Sequence, residues 1–337
     1  MKISWIFIVP CLSCVCRLKY TILYFFKNFL FLRLDRHIMT DNKTTPSNPY
    51  LWDKPRPRFF ITGSRGFLGH YLSAYFHKLG YYVFESHAFH LRIDMPSNLE
   101  QVLIRLKPDI IIHLAAFHRW ENPADEERAL KVNVEGTANL LDIAELLQIP
   151  VMFISTDRVF DGRKDLPYSE KDPVNPLSYY GRLKVRGEEL IRNAKLPAYW
   201  ILRLAPVWSE DVHLPYTRQN FLAGIVRAFE GKSREWPATI YGGLTHRELV
   251  AKAIDGLFHH GKDGVYHLAS DTTLSYFEQA RYMARFLGPS KELIADTIRA
   301  SSPTPRNFRM NTEKISKAIG FTIPSFEEDV KKWLRNE

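Results

Sequence analysis

From residue 17 to its C-terminus the chain has no cysteine; its three, Cys11, Cys14 and Cys16, lie in one N-terminal stretch. The body therefore carries no disulfide and no thiolate metal ligand. The N-terminal triplet lacks the histidine or second cysteine pair of a four-ligand site, so no metal is expected. Long apolar runs are also missing. Arg17 and Lys19 stop the run at 3–16, and Lys27 and Asn28 stop the one at 21–26. Neither reaches the roughly 18–20 residues of a spanning helix. There is no internal repeat and no low-complexity tract.

Charge of one sign is scarce once the N-terminus is set aside. Residues 1–38 hold six basic side chains and one acidic one, so +5 of the net +9 sits there and +4 remains on the body. That remainder is a poor argument for nucleic-acid binding. It suits an anionic cofactor and substrate.

The first 38 residues carry three open readings. Lys2 and the first apolar run, with a cleavage site near 13–16, outline a signal peptide. Alternating apolar and basic blocks outline an interfacial anchor. A start at Met39, followed by the polar segment 40–47, makes the stretch a mis-assigned beginning. Membrane contact is expected only if residues 1–38 are genuine; otherwise the setting is cytoplasmic.

What is present is an α/β rhythm. Residues 40–57 are polar and proline-rich, a linker. Strands are predicted at 58–62, 81–85, 91–94, 109–116, 151–155 and 199–205. Helices are predicted at 67–79, 98–107, 125–147 and 178–194. This alternation predicts a doubly wound parallel sheet of the Rossmann type. After Trp208 the pattern loosens into helices at 220–230, 247–258, 276–287, 313–319 and 326–334 and a strand at 265–269. The expected division is an extension at 1–57, a dinucleotide-binding domain at 58–208, and a smaller C-terminal substrate lobe at 209–337 with segments returning to the main sheet.

Three motifs carry chemistry. The loop at 62–69 reads TGSRGFLG. Gly63, Gly66 and Gly69 fall between a strand and a helix, where backbone must approach a pyrophosphate. No Gly-Lys-Ser/Thr follows, so a P-loop is excluded. Tyr180 and Lys184 stand four apart on a helix and share a face. An ammonium there is expected to favour the phenolate, letting the tyrosine exchange protons near neutral pH. Tyr179 has Leu183 four residues on, which selects Tyr180. Ser155, Thr156 and Asp157 end an apolar strand, where α/β sheets bind ligands. Alone, each has a plainer explanation: a tight turn, a solvated pair, a helix cap.

In this order the motifs resemble the extended short-chain dehydrogenases/reductases, and within them the dTDP-4-dehydrorhamnose reductase branch. The matching segments are ISTDRVFDG (154–162), PYSEKDPVNPLSYYGRLKVRGEE (167–189), ILRLAPVW (201–208), NFL (220–222), GVYHLAS (264–270) and PRNFRMNTEKI (305–315). The resemblance covers about 58–335. It implies that Thr156 holds a keto oxygen, Tyr180 is the general acid, and Lys184 binds the nicotinamide ribose. It implies that Gly63, Gly66 and Gly69 line the pyrophosphate, with Arg65, Phe67 and Leu68 of the same loop also cofactor-binding, that Asp94 sits near the adenine, and that Ala115 and Ala116 run along the cofactor. Asn133 would lie behind the site and support the lysine. The sequence departs from the branch at Arg158, where an aromatic is usual, at Pro206, where tryptophan is common, and in a short 117–123 segment.

The implied reaction is NAD(P)H-dependent reduction of a 4-keto nucleotide sugar, possible as a homodimer. Glu85 falls too early for the acidic residue of NAD enzymes, while Arg65 or Arg92 could hold a 2′-phosphate. NADP is therefore expected, with NAD the alternative. Two other readings stand beside this one. One is a regulatory NADP-binding protein resembling the methionine adenosyltransferase regulatory subunit. The other is a nucleotide-sugar epimerase or dehydratase, which Asp157 favours and Arg158 disfavours.

Overall fold

Alternation within the first strand, β1 (Arg58–Thr62), decides the layering. Phe59 and Ile61 pack into one apolar cluster and Phe60 into another, all three fully buried. A strand apolar on both faces needs cover on both, which only a sheet between two helical layers gives. The structure, a computed structural model, describes residues 56–89, 91–94, 98–117, 123–212, 220–231, 234–288 and 297–335. The expectations for the N-terminal stretch and its cysteines, and for 118–122, lie outside the described residues.

The order continues with α1 (Phe67–Lys78), β2 (Tyr82–Glu85), α2 (Leu99–Leu106), β3 (Ile110–His113), α3 (Pro123–Leu130), α4 (Gly136–Leu146), β4 (Val151–Thr156), α5 (Tyr179–Asn193) and β5 (Tyr199–Leu204). Then come β6 (Val207–Trp208), α6 (Phe221–Phe229), β7 (Arg234–Pro237), β8 (Ile240–Tyr241), β9 (Thr245–His246), α7 (Arg247–His260) and β10 (Gly264–Leu268). The chain finishes with α8 (Tyr276–Ala284), β11 (Ile298–Ser301), β12 (Arg306–Asn307), α9 (Glu313–Ile319) and α10 (Phe326–Leu334).

Six strands form one parallel sheet in the order β10-β5-β4-β3-β1-β2. Leu72 and Phe76 of α1, Leu257 of α7 and Ile315 of α9 cover one face. Leu103 of α2, Leu140 of α4 and Ile191 of α5 cover the other. The chain steps outward from β1 to β2, then crosses to β3 on the opposite side of β1. That reversal opens a crevice between the carboxyl ends of β1 and β3, where such sheets take ligands.

A second core, built on Trp208, Leu222, Trp236, Tyr276 and Phe326, gathers α6, α8 and α10. Ser275 and Ser325 start α8 and α10 with capping boxes closed by Glu278 and Glu328. Among the described residues no helix is long and apolar enough to cross a membrane.

Two predicted elements differ. Residues 91–94 form no strand: Arg92 makes an isolated β-bridge and Ile93 and Asp94 turn. The Leu91 amide donates to the Ser86 carbonyl at 3.1 Å, and the Arg92 guanidinium closes on Asp94 at 3.0 and 2.5 Å. The Leu91 amide is thus spent on a local turn instead of a ladder, and the side-chain pair holds the segment bent. The helix predicted at 125–147 is interrupted by a wider π-turn, Lys131–Glu135, which buries Asn133 and Val134. Such single wide turns frequently mark functional sites.

Candidate active site

The glycine loop lies at the crevice. Gly63 has a left-handed φ of +68°, and a Cβ there would sit 2.8 Å from the Ala115 amide nitrogen. Only glycine lets the loop after β1 press against the loop after β3. Gly66 is the N-cap of α1 and offers no side chain, and the first turn holds no acid. The helix therefore opens with its amides, at Phe67, Leu68 and Gly69, uncapped by any side chain. A Cβ on Gly66 would come within 3.2 Å of the Gly63 carbonyl oxygen, a tight approach that the loop would have to give slightly to admit. Uncapped amides, a positive helix end and a missing side chain suit a pyrophosphate. The loop thus fits a dinucleotide.

A polar chain stiffens the two sides of the crevice. The Thr62 hydroxyl accepts from the amides of Leu114 and Ala115, both at 3.1 Å, and meets His113 Nδ1 at 2.7 Å. His113 Nε2 lies 3.0 Å from the Thr137 hydroxyl, which donates to the Asn133 carbonyl at 2.9 Å. With its proton committed to Asn133, Thr137 can only accept from the ring. Nε2 therefore carries the imidazole proton and Nδ1 accepts from Thr62. Burial, with the Lys184 charge, pushes His113 down to about 3, so it stays neutral.

Asn133 does not reach the lysine as expected. Its Oδ1 accepts from the Phe117 amide at 2.6 Å and its Nδ2 donates to the Phe117 carbonyl at 3.1 Å. The π-turn aims the amide at main chain just past Ala115 and Ala116. Asn133 thus pins the strand-end backbone.

Thr156 is the last residue of β4, and Tyr180 and Lys184 lie on the first turns of α5. Ser178 caps that helix, accepting from the Gly181 amide at 3.0 Å. A Cβ at Gly181 would collide with the Arg158 carbonyl, and one at Gly187 with the Phe153 ring. The two glycines let α5 lie against β4 and the turn that follows it. Lys184, 4 % exposed, donates from Nζ to the Ile154 carbonyl at 2.7 Å. Its Nζ stands 6.0 Å from the centre of the Tyr180 ring. The Thr156 hydroxyl donates to Asp157 Oδ1 at 3.0 Å and accepts from the Arg158 amide at 3.3 Å.

Electrostatics correct one expectation. Burial, and then the neighbouring Asp157 charge, push the Tyr180 phenol above its ordinary range; the lysine does not pull it down. Burial lowers Lys184 itself to about 8, against the opposing pull of Glu188. The phenol thus keeps its proton at neutral pH, the form that donates.

Beneath the helix, Glu188 and Arg203 form a buried pair, with contacts at 2.9 and 2.7 Å. Ser155 donates to Glu188 at 2.6 Å and Arg192 at 2.7 Å. Burial alone would raise the Glu188 carboxyl; the Arg203 bonds and charge outweigh it and hold it low. Removing one partner of such a pair costs about 3–5 kcal/mol. Asp157 is the opposite case: burial outweighs Arg158 and raises it, and its Oδ2 has no hydrogen-bond partner.

On the glycine loop Arg65 is exposed, and Ser64 Oγ meets His87 Nδ1 at 2.8 Å. Arg92 and Asp94 are taken up with each other. Sequence reasoning missed Thr62, Thr137 and the Glu188–Arg203 pair. A threonine closing an apolar strand before glycine signals the first; the other two show no local signal. Among the described residues no cluster of metal-ligating side chains occurs.

The family model described as RmlD substrate binding domain matches residues 57–337. A dTDP-4-dehydrorhamnose reductase of Sinorhizobium fredii is 29% identical over 241 residues, covering 67% of this chain and 79% of that protein. A dTDP-4-keto-6-deoxy-D-glucose reductase of Streptomyces niveus is 31% identical over 235 residues, covering 68% and 79%. In fold, the chain is similar to the crystal structure of a Bacillus anthracis dTDP-4-dehydrorhamnose reductase in complex with NADP. The TM-score is 0.72 at 24% identity, over 85% of this chain and 100% of that one.

Proposed function

The chain belongs to the RmlD substrate-binding-domain family, and from that premise we propose that it reduces the 4-keto group of a nucleotide-linked sugar with NAD(P)H. The observation that carries the reading is the bond from Lys184 to Ile154, which fastens the Tyr180 helix to the strand ending in Thr156. The bound nicotinamide would supply the hydride. Thr156 would turn its hydroxyl from Asp157 to hold the keto oxygen. As charge develops on that oxygen, the protonated Tyr180 phenol gives up its proton, and Lys184 steadies the phenolate left behind. A phenol held protonated suits reduction better than the reverse reaction.

Gly63, Gly66, Gly69 and the amides of Phe67 and Leu68 would hold the pyrophosphate, with Ala115 and Ala116 alongside. Asn133 would act by fixing Phe117. Arg65 favours NADP, since among the described residues no acid pairs with its exposed guanidinium, whereas Arg92 and Asp94 neutralise each other. We assign cofactor binding to 58–208 and substrate binding largely to 209–337, in the cytoplasm. The test is a panel of nucleotide-sugar 4-ketones followed by NADPH absorbance and product stereochemistry. Turnover of none of them would overturn the reading and favour a regulatory role.

A further inference from the structure

Beside the turn that follows Thr156 lies a cavity of about 320 Å³, lined among others by Arg158, Phe160, Ser178, Thr304, Arg306 and Phe308. Among the described residues its lining holds two guanidinium groups and two hydroxyls, and no carboxylate. Arg158 stacks 4.2 Å over the Phe308 ring, which fixes its plane. Its polar contacts are loose: Nε to Asp157 at 3.6 Å and Nη2 to the Tyr276 hydroxyl at 3.3 Å, with the side chain 31% exposed. Among the described residues the Arg306 guanidinium donates only to its neighbour's carbonyl, Pro305, at 3.2 Å. Both guanidinium groups therefore have donors left for a ligand, in the fork that matches an oxyanion. The volume sits at the low end for a ligand site, enough for a charged head and too small for a whole nucleotide sugar.

We propose that this cavity is the oxyanion subsite of the substrate, with Arg158 and Arg306 as its specificity-determining residues. The inference rests on the nucleotide-sugar reading and deepens it. Its position follows from the chain: Arg158 is two residues past Thr156, and Ser178 is two residues before Tyr180. Thr156 and Tyr180 do not themselves line the cavity, but their chain neighbours do, so an anion held there would anchor the substrate at that end of the site. Two sources offer this chemistry, the diphosphate that links sugar to nucleoside and a carboxylate on the sugar ring. Phe160 and Phe308 give the subsite apolar walls.

Calorimetry on the full chain, as wild type, R158Q, R158K and R306Q, separates the outcomes. NADPH is titrated first, as a check on folding; then dTDP, thymidine and glucuronate. Wild type should bind dTDP, and R306Q and R158Q should each weaken it about tenfold or more, the worth of one charge-assisted bond. Thymidine should be unaffected, and R158K should recover only part, since an ammonium lacks the fork. The same losses on glucuronate, with dTDP unchanged, would assign the subsite to a carboxylate. Should R158Q lose NADPH binding because Asp157 is left unpaired, R306Q alone decides. Unchanged affinity for both anions in the NADPH-competent variants, or no anion binding by wild type, overturns the subsite. Anion binding without turnover of any keto-sugar would overturn the reductase reading and leave the subsite standing.

Discussion

Lys184 Nζ donates to the Ile154 carbonyl at 2.7 Å, tying the tyrosine-bearing helix to the strand that ends in Thr156. A buried ammonium with one carbonyl partner is poorly solvated, and burial brings its pKa down to about 8. The residue assigned to the cofactor ribose therefore titrates close to working pH. It is an ammonium below about 8 and a neutral amine above.

Cofactor affinity should follow that titration. NADPH binding should weaken as pH rises from 7 to 9, by about tenfold if one charge-assisted bond is lost. Lys184→Met should bind weakly at pH 7 and show no such fall. Fluorescence titration across this range checks it, and a flat wild-type profile would remove Lys184 from the ribose.

The glycine loop should separate two roles. At Gly66 a valine Cβ meets the Gly63 carbonyl at 3.2 Å, which a shift of a few tenths of an ångström relieves, so the fold should persist while NAD(P) binding is lost. At Gly63 the same change meets a φ of +68° and the Ala115 backbone, so stability should fall as well. Circular dichroism with calorimetry distinguishes them. A folded Gly66→Val protein with wild-type cofactor affinity would sink the dinucleotide assignment.

Cofactor choice should turn on Arg65. Replacing it by glutamine should weaken NADPH by about tenfold and spare NADH, since only the former carries a 2′-phosphate. Arg92→Gln should change little, because that guanidinium already serves Asp94. A wild-type preference for NADH would end the NADP assignment.

The sheet was legible because its strands read as continuous apolar runs, as at 110–112 and 151–154, and its helices as periodic ones. Residues 91–94 misled because an Arg-x-Asp pair closes a turn on itself, which periodicity does not register. Gly63, Gly66 and Gly69 could be read from their context, since few residues allow backbone so close to backbone. The π-turn at Asn133 could not, because an extra residue in a helix leaves no mark in composition. The Tyr180 shift was hidden for a different reason. It depends on how deeply the ring is buried and how near Asp157 comes, both properties of the folded chain.

Acid stability should report the buried histidines. His113 and His267 are pushed down to about 3, first by burial and then by the charges of Lys184 and Arg203 respectively. An unfolded chain protonates them near 6.5, whereas the folded chain does not until about 3. The unfolded state thus binds more protons in this window, and stability falls with falling pH from about 6.5. Between pH 6.5 and 5 the carboxylates of Glu188 and Glu210, held low in the fold, stay largely ionised. Asp157, Glu170 and Asp329, raised by burial, take up protons more readily in the folded chain and oppose the histidines. The difference between wild type and His113→Asn therefore isolates the histidine part. His113→Asn should lower Tm at pH 7 yet make its decline toward pH 5 shallower. An unchanged slope would mean His113 is protonated in the native state.

The last prediction concerns the proton itself. Tyr180→Phe keeps the ring in its half-buried place on α5 and removes only the donor. NADPH affinity should barely change, while kcat falls by about 10²–10⁴, the usual worth of a positioned acid. Thr156→Val should also lower kcat, by loosening the keto oxygen, and should free Asp157 Oδ1 from its 3.0 Å bond. Lys184→Met should damage both binding and turnover. A purely structural role for the tyrosine and lysine predicts only small changes in Tm and none in kcat. Because Tyr180 already holds its proton at neutral pH, wild-type reduction should not need a rise in pH to begin. Stopped-flow NADPH oxidation with a keto-sugar that is turned over measures each of these. Wild-type kcat in Tyr180→Phe would overturn the proton-donor assignment while leaving the cofactor site intact.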